Sequence, residues 1–190
     1  MDADFSIELS HDDAVLDFPW TDPDGKLVYV DIKRRPELLS QIEEAERFPE
    51  LKEFLRMVNS PRSLLETAKC DAWATTELNV EEEIYGASHK FASYVDVVLS
   101  GIDARQSLSA HQEFSTNLVK LLHRAPETPS TVEICVRRCY FAAPAGVQDG
   151  FYCTFYVIGY GSDEVGARQN WGVGLKLTAN AILQISATRE

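Results

Sequence analysis

The chain has 190 residues, 45% hydrophobic and 10% aromatic, with 18 basic against 30 acidic side chains and a net charge of −12. That is enough apolar material for one sizeable core, and residues 1–190 read as a single domain in which 1–25 form a partly independent N-terminal arm. No stretch approaches the ~18 apolar residues of a membrane-spanning helix, and the acidic start Met1-Asp2-Ala3-Asp4-Phe5 lacks the basic-then-apolar pattern of a signal peptide; the expectation is a cytoplasmic protein with no membrane partner.

In chain order, Trp20-Thr21-Asp22-Pro23-Asp24-Gly25 reads as a turn, followed by a strand at Lys26–Ile32. Pro36 opens a helical region in which Leu38, Leu39, Ile42 and Ala45 share a face. Pro49 restarts it, suiting the first turn of a second helix with Leu51, Phe54, Leu55 and Val58 at helical spacing. Asn59-Ser60-Pro61 stops that helix. Ala68–Val80 alternates as a strand, with Lys69, Asp71, Thr75 and Glu77 on its polar side and Trp73 as the exception among them; Lys90–Leu99 is a further strand. Asp103 with Gln106 resembles a capping box, opening one helix through Leu108, Phe114, Leu118 and Leu122 that ends before Pro126.

Residues 131–160 read as a hairpin, with strands Thr131–Phe141 and Phe151–Gly161 joined by Ala142–Gly150, whose Pro144, Gly146 and Asp149-Gly150 are turn chemistry. Setting Phe141 opposite Phe151 places Tyr140 against Tyr152, Arg138 against Thr154 and Val136 against Tyr156. It also sets Cys139 against Cys153, a geometry open to a disulfide, although Cys70, Cys135, Cys139 and Cys153 read more simply as buried thiols. Side chains alternate between faces, so Arg138, Tyr140, Tyr152, Tyr156 and Tyr160 form one Tyr/Arg face and are the candidate ligand- or partner-binding residues. A one-residue slip would scramble this face. From Trp171 to Ile185 every odd position is apolar, as in a strand, yet Trp171, Leu175, Ala179 and Ile182 also share a helical face. A strand of that length is far above the typical five or six residues, so 163–186 is assigned to a helix started by Ser162-Asp163-Glu164.

The resulting order, β-α-β-β-α-β-β-α, defines an α+β fold: an antiparallel sheet with helices on one face, in ferredoxin-like split βαβ order extended by a strand and a C-terminal helix. The alternative is a curved antiparallel sheet wrapped on a long C-terminal helix.

Chemical motifs are sparse. Asp22-Pro23-Asp24-Gly25 lacks the further ligand spacing of a calcium loop, Glu81-Glu82-Glu83 reads as a solvated acidic run, and His11, His89, His111 and His123 show no metal spacing, so neither metal nor cofactor is expected. Gly159-Tyr160-Gly161 before a helix could donate backbone N–H groups to an anion, with Asp163 and Glu164 opposing it. Residues 1–83 hold 21 acidic and 9 basic side chains, whereas 84–190 hold 9 of each. Phosphate binding needs cations, so no nucleic-acid partner is expected, while the acidic half suits a basic protein partner. The leading expectation is a noncatalytic protein-interaction module, a homo-oligomer through the Tyr face. The alternative is a small-molecule-binding protein or enzyme with a Tyr/Arg-lined pocket, using Asp96 or a histidine as base.

Overall fold

The computed structural model describes residues 1–78, 86–143 and 146–188. Its strands are β1 (Asp2–Ile7), β2 (Val15–Phe18), β3 (Leu65–Thr75), β4 (His89–Leu99), β5 (Ser130–Ala143) and β6 (Gly146–Gly161). The α-helices are α1 (Glu43–Arg47), α2 (Pro49–Val58), α3 (Ile102–Gln106), α4 (Leu108–Leu122) and α5 (Glu164–Ala187), with a 3-10 helix at Pro36–Gln41. All six strands form one mixed sheet in the order β1-β5-β6-β4-β3, with β2 also on β5. Strands β1 and β2 run parallel to β5; the other pairings are antiparallel. The acidic run Glu81-Glu82-Glu83, the end of the expected strand at Asn79-Val80, and Pro144 lie outside the described residues. No helix among the described residues is long and apolar enough to cross a membrane.

The strand order departs from a split βαβ for a specific reason. Lys26–Ile32 makes only the isolated bridge Thr21–Val28, and Leu27 and Val28 stay 60% and 54% exposed. The β5 edge is taken instead by residues 2–7 and 15–18. The Asp22 turn is closed by its own carboxylate, which accepts from the Leu27 N–H at 2.9 Å. The helix expected from Asp103 is divided at Ser107, whose side chain caps α4 by accepting from the Ala110 N–H. The short helix before the break carries Arg105. That buried side chain donates to Glu66 at 2.7 Å and to the Leu99 carbonyl at 3.0 Å, and stacks on the rings of Phe18 and Phe141.

The C-terminal helix forms as its helical face required. Asp163 caps it by accepting from the Gly166 N–H at 2.7 Å, and Trp171, Leu175, Ala179 and Ile182 are all buried. It lies across β6, β4 and β5 with α2 and α4 beside it, so one sheet face is covered by helices. At its N-terminal end it approaches β6 backbone to backbone. A Cβ added at Gly159 would stand 2.0 Å from the Trp171 nitrogen, and one at Gly161 2.3 Å from the Ala167 nitrogen. These glycines therefore serve close packing, not the anion cradle that their spacing allowed. Trp171, packed on Phe48 and Phe91, donates its indole N–H to Ser93 at 2.8 Å.

Hairpin register is the main correction. Phe141 pairs with Gln148, Arg138 with Phe151 and Arg137 with Tyr152, a shift of three residues from Phe141 opposite Phe151. The ladder continues to Ala143–Gly146 through the stretch that the turn residues had marked as loop. Gly150 is needed mid-strand, because a Cβ there would sit 2.8 Å from the Phe141 ring and 2.9 Å from the Arg105 carbonyl. An odd shift inverts β5. Cys139 now pairs with Gly150 and Cys153 with Val136, on opposite faces, and all four cysteines are free thiols. Cys139 and Phe141 join Leu16, Phe18, Ala68, Val98 and Tyr152 in a small second core on the sheet face away from the helices.

Two outcomes follow from this packing. Gly159→Ala should lower stability by about 3 kcal/mol or more, because backbone must move to admit the methyl group, whereas Gly101→Ala, whose Cβ would meet nothing closer than 3.8 Å, should stay within about 1 kcal/mol; urea denaturation checks both. His111 is fully buried, and burial lowers its pKa from 6.5 against the contact of its Nδ1 with the Ser107 carbonyl at 2.9 Å. Its contribution is complete above pH 6.5 and is lost as pH falls from there through the depressed folded value. Melting temperatures between pH 7.5 and 5 should fall more steeply for wild type than for His111→Leu.

Candidate functional site

The sheet face away from the helices carries a continuous polar chain. Strand pairing sets Thr154 of β6 beside Asp96 of β4, and Asp96 beside Lys69 of β3. A β-bulge between Thr67 and Lys69 leaves Ala68 without a partner in the β4 register and brings Lys69 onto the Asp96 face. The same Ala68 offers its carbonyl to the Trp20 indole N–H at 2.7 Å, which holds the Trp20–Val30 loop across the edge of β3.

Charges alternate along the chain. Glu8 accepts from Arg137 Nε at 2.7 Å; Arg137 Nη1 donates to Thr154 Oγ1 at 3.0 Å and to the Tyr156 hydroxyl at 3.3 Å. The Thr154 hydroxyl donates in turn to Asp96 Oδ1 at 2.6 Å, and Lys69 Nζ lies 3.5 Å from Asp96 Oδ2. Asp96 is 3% exposed. Burial raises its pKa, opposed by the Thr154 hydrogen bond and by the Lys69 and Arg137 charges, which together do not offset the loss of water. Glu8 is lowered by its bond to Arg137, and Arg137 is raised, its hydrogen bonds to Tyr156 and Glu8 outweighing desolvation. Lys69 is the open end of the chain. Its side chain is 36% exposed, with Nζ 5.9 Å from the ring centroids of both Trp20 and Tyr94.

Beyond Lys69 lies a pocket of about 310 Å³ between the Trp20–Val30 loop, the Gln41–Glu44 segment and β3. Leu27, Val28, Val30, Ile42 and Leu55 supply apolar wall, and Trp20, Lys69, Asp71 and Tyr94 supply aromatic and polar wall. Burial, then the fields of Asp96, Asp71 and other groups, pushes the Tyr94 phenol up to about 12.

The five residues nominated from sequence are divided. Tyr152, Tyr156 and Tyr160 share the face of the polar chain, but Tyr152 and Tyr160 are each 3% exposed, the former inside the second core and the latter 3.4 Å from the Thr131 hydroxyl. Arg138 and Tyr140 project from the opposite face, Arg138 donating to the Leu9 carbonyl and Tyr140 remaining 40% exposed. The arginine on the Tyr face is Arg137, misplaced by the odd register shift. Lys69 and Asp71 were legible on the polar side of β3; Trp20 was not legible, since no local pattern links a turn residue to a bulge 48 positions away. Among the described residues no group of three or more His, Cys, Asp or Glu side chains is placed to hold a metal ion. Trp73, 40% exposed, stands beside Tyr94 on the polar-chain face.

Comparison with protein-family models, with curated proteins and with solved structures found no match.

Because the folded protein raises the Asp96 pKa above its ordinary 3.8, the stabilising contribution of Asp96 is complete below about that pH. It is lost as pH rises through the folded value. Asp96→Asn, which mimics the protonated acid, should therefore gain on wild type in denaturation free energy between pH 4 and pH 7; a gap that stays constant would contradict the assignment.

Proposed function

We propose that this protein binds a small organic molecule in the pocket formed by the Trp20–Val30 loop, the Gln41–Glu44 segment and β3. One observation carries the reading: a cavity of about 310 Å³ with mainly apolar walls meets a short set of convergent polar groups, of which Lys69 is anchored to a buried carboxylate. Ligand sites have this composition, with volumes from about 300 to 1,000 Å³. A buried carboxyl with a shifted pKa at the edge of a cleft adds support. Asp96 is nearly inaccessible, so its role in this reading is to orient Lys69 and not to touch the ligand. Binding, not chemistry, is the proposed activity.

The division of the Tyr row between two faces, with Tyr152 and Tyr160 buried, moves the reading from a partner-binding Tyr face to the pocket. The experiment is a thermal-shift panel of neutral, anionic and cationic compounds of compact aromatic or aliphatic type. At least one class should raise the melting temperature of wild type. The shift should vanish in Trp20→Ala, which removes a wall, and in Val28→Trp, which fills the mouth from a position already 54% exposed. It should persist in Val147→Ser, whose residue lies at a 76% exposed position outside the lining. No shift from any class, or shifts indifferent to both pocket variants, would overturn the proposal.

A further inference from the structure

The pocket wall has an uneven charge. Its lining contains three carboxylates, Glu43, Glu44 and Asp71, and one cation, Lys69. Lys69 is already committed to Asp96, while none of the three carboxylates forms an ion pair among the described residues. A ligand entering this space therefore meets uncompensated negative charge. The neutral acids on the wall report the same field. After burial, Glu44, Asp71 and Asp96 are the groups that push the Cys70 thiol up to about 12, and the same three contribute to the rise at Tyr94. Cys70 thus senses both Glu44 and Asp71.

The aromatic wall favours the same sign. Trp20 and Tyr94 already flank one ammonium group, that of Lys69, at 5.9 Å from each ring centroid, which is within the range of cation–π attraction. An anionic ligand would approach three carboxylates with only Lys69, already paired with Asp96, to attract it. A cation meets the repulsion of that one ammonium group against the attraction of three carboxylates.

We infer that the pocket takes an organic ammonium ion, its compact apolar body against Leu27, Val28 and Ile42 and its charged head directed to Glu44 and Asp71. The inference rests on the pocket reading above and adds the ligand class to it. The volume, at the small end for ligand sites, limits the body to roughly one ring or a short branched chain.

The test compares three probes of matched shape by calorimetric titration of the full chain: phenethylammonium, 2-phenylethanol and 3-phenylpropionate. The ammonium probe should bind and the carboxylate should not. Glu44→Gln combined with Asp71→Asn should weaken the ammonium probe by about tenfold, the order expected for losing two partly exposed ion pairs. Both positions are at least partly exposed, and the thermal unfolding of the double variant is recorded alongside to establish that it folds. Equal binding of the neutral alcohol, unaffected by the double variant, would overturn the cation assignment and leave the pocket reading intact. Preferential binding of the carboxylate, lost in Lys69→Gln, would overturn it in favour of an anion. Failure of all three probes would also overturn it, and the wider panel then decides separately whether the pocket binds at all.

Discussion

The contact between α5 and the end of β6 is the constraint on which the rest of the molecule depends. Two glycines in one strand, Gly159 and Gly161, let a helix backbone approach to distances that any side chain would forbid. Once α5 is seated there, Trp171 reaches Ser93 on β4 and packs against Phe48, just ahead of α2, and Phe91 on β4. The helix then runs across the middle of the sheet with α2 and α4 on its flanks. The part of that face beneath the helices is thereby buried, and Val95, Ile134, Phe155 and Val157 on it are inaccessible to water. Helices being spent on that face, the other is left to the N-terminal segment and to polar side chains.

That second face solves a different problem. A polar group removed from water is costly unless it is hydrogen-bonded, and here five side chains from five places in the chain satisfy one another in series. Glu8, Arg137, Thr154, Asp96 and Lys69 alternate in charge or donor sense, so each link is complementary to the next. Such pairs contribute little net stability when buried, because desolvation cancels much of the attraction. Their effect is to hold geometry: Lys69 is aimed at the edge of β3, where Trp20 closes the loop over the strand. The pocket exists because that loop is pinned at one indole nitrogen to a bulged carbonyl, and its acidity reflects the surplus of carboxylates in residues 1–83.

The sequence was legible where the signal is local. Pro36, Pro49 and Asn59-Ser60-Pro61 bracket helical segments where the chain forms them, the alternation from Ala68 marks a real strand in β3, the strand read at Lys90–Leu99 forms as β4, and Asp163 caps the helix chosen for the last segment. Legibility failed where two distant segments compete for the same position. Lys26–Ile32 has strand-like composition, yet residues 2–18 occupy the β5 edge. Asp149-Gly150 has turn chemistry, yet Gly150 is a strand residue placed under Phe141, because the alternative would be a clash with a ring and with the Arg105 carbonyl. What reads as one helix from Asp103 is divided at Ser107, which caps α4.

The same division separates what the chain alone decided from what needed its folding. Helix periodicity, caps and strand alternation arise from interactions within a few residues, so the sequence by itself determined the main helices and the strands from β3 onward, a fold of both helices and strands, the C-terminal helix and the concentration of negative charge in the first half. Register, the identity of the arginine on the polar face and the existence of a pocket were decided only by the tertiary structure. Side chains in a strand alternate with a period of two, so an odd shift of three residues exchanges Arg138 for Arg137 without altering either strand's local pattern. The shift is set by packing of Cys139 and Phe141 against Leu16 and Phe18, partners more than 120 residues away, which no local pattern encodes.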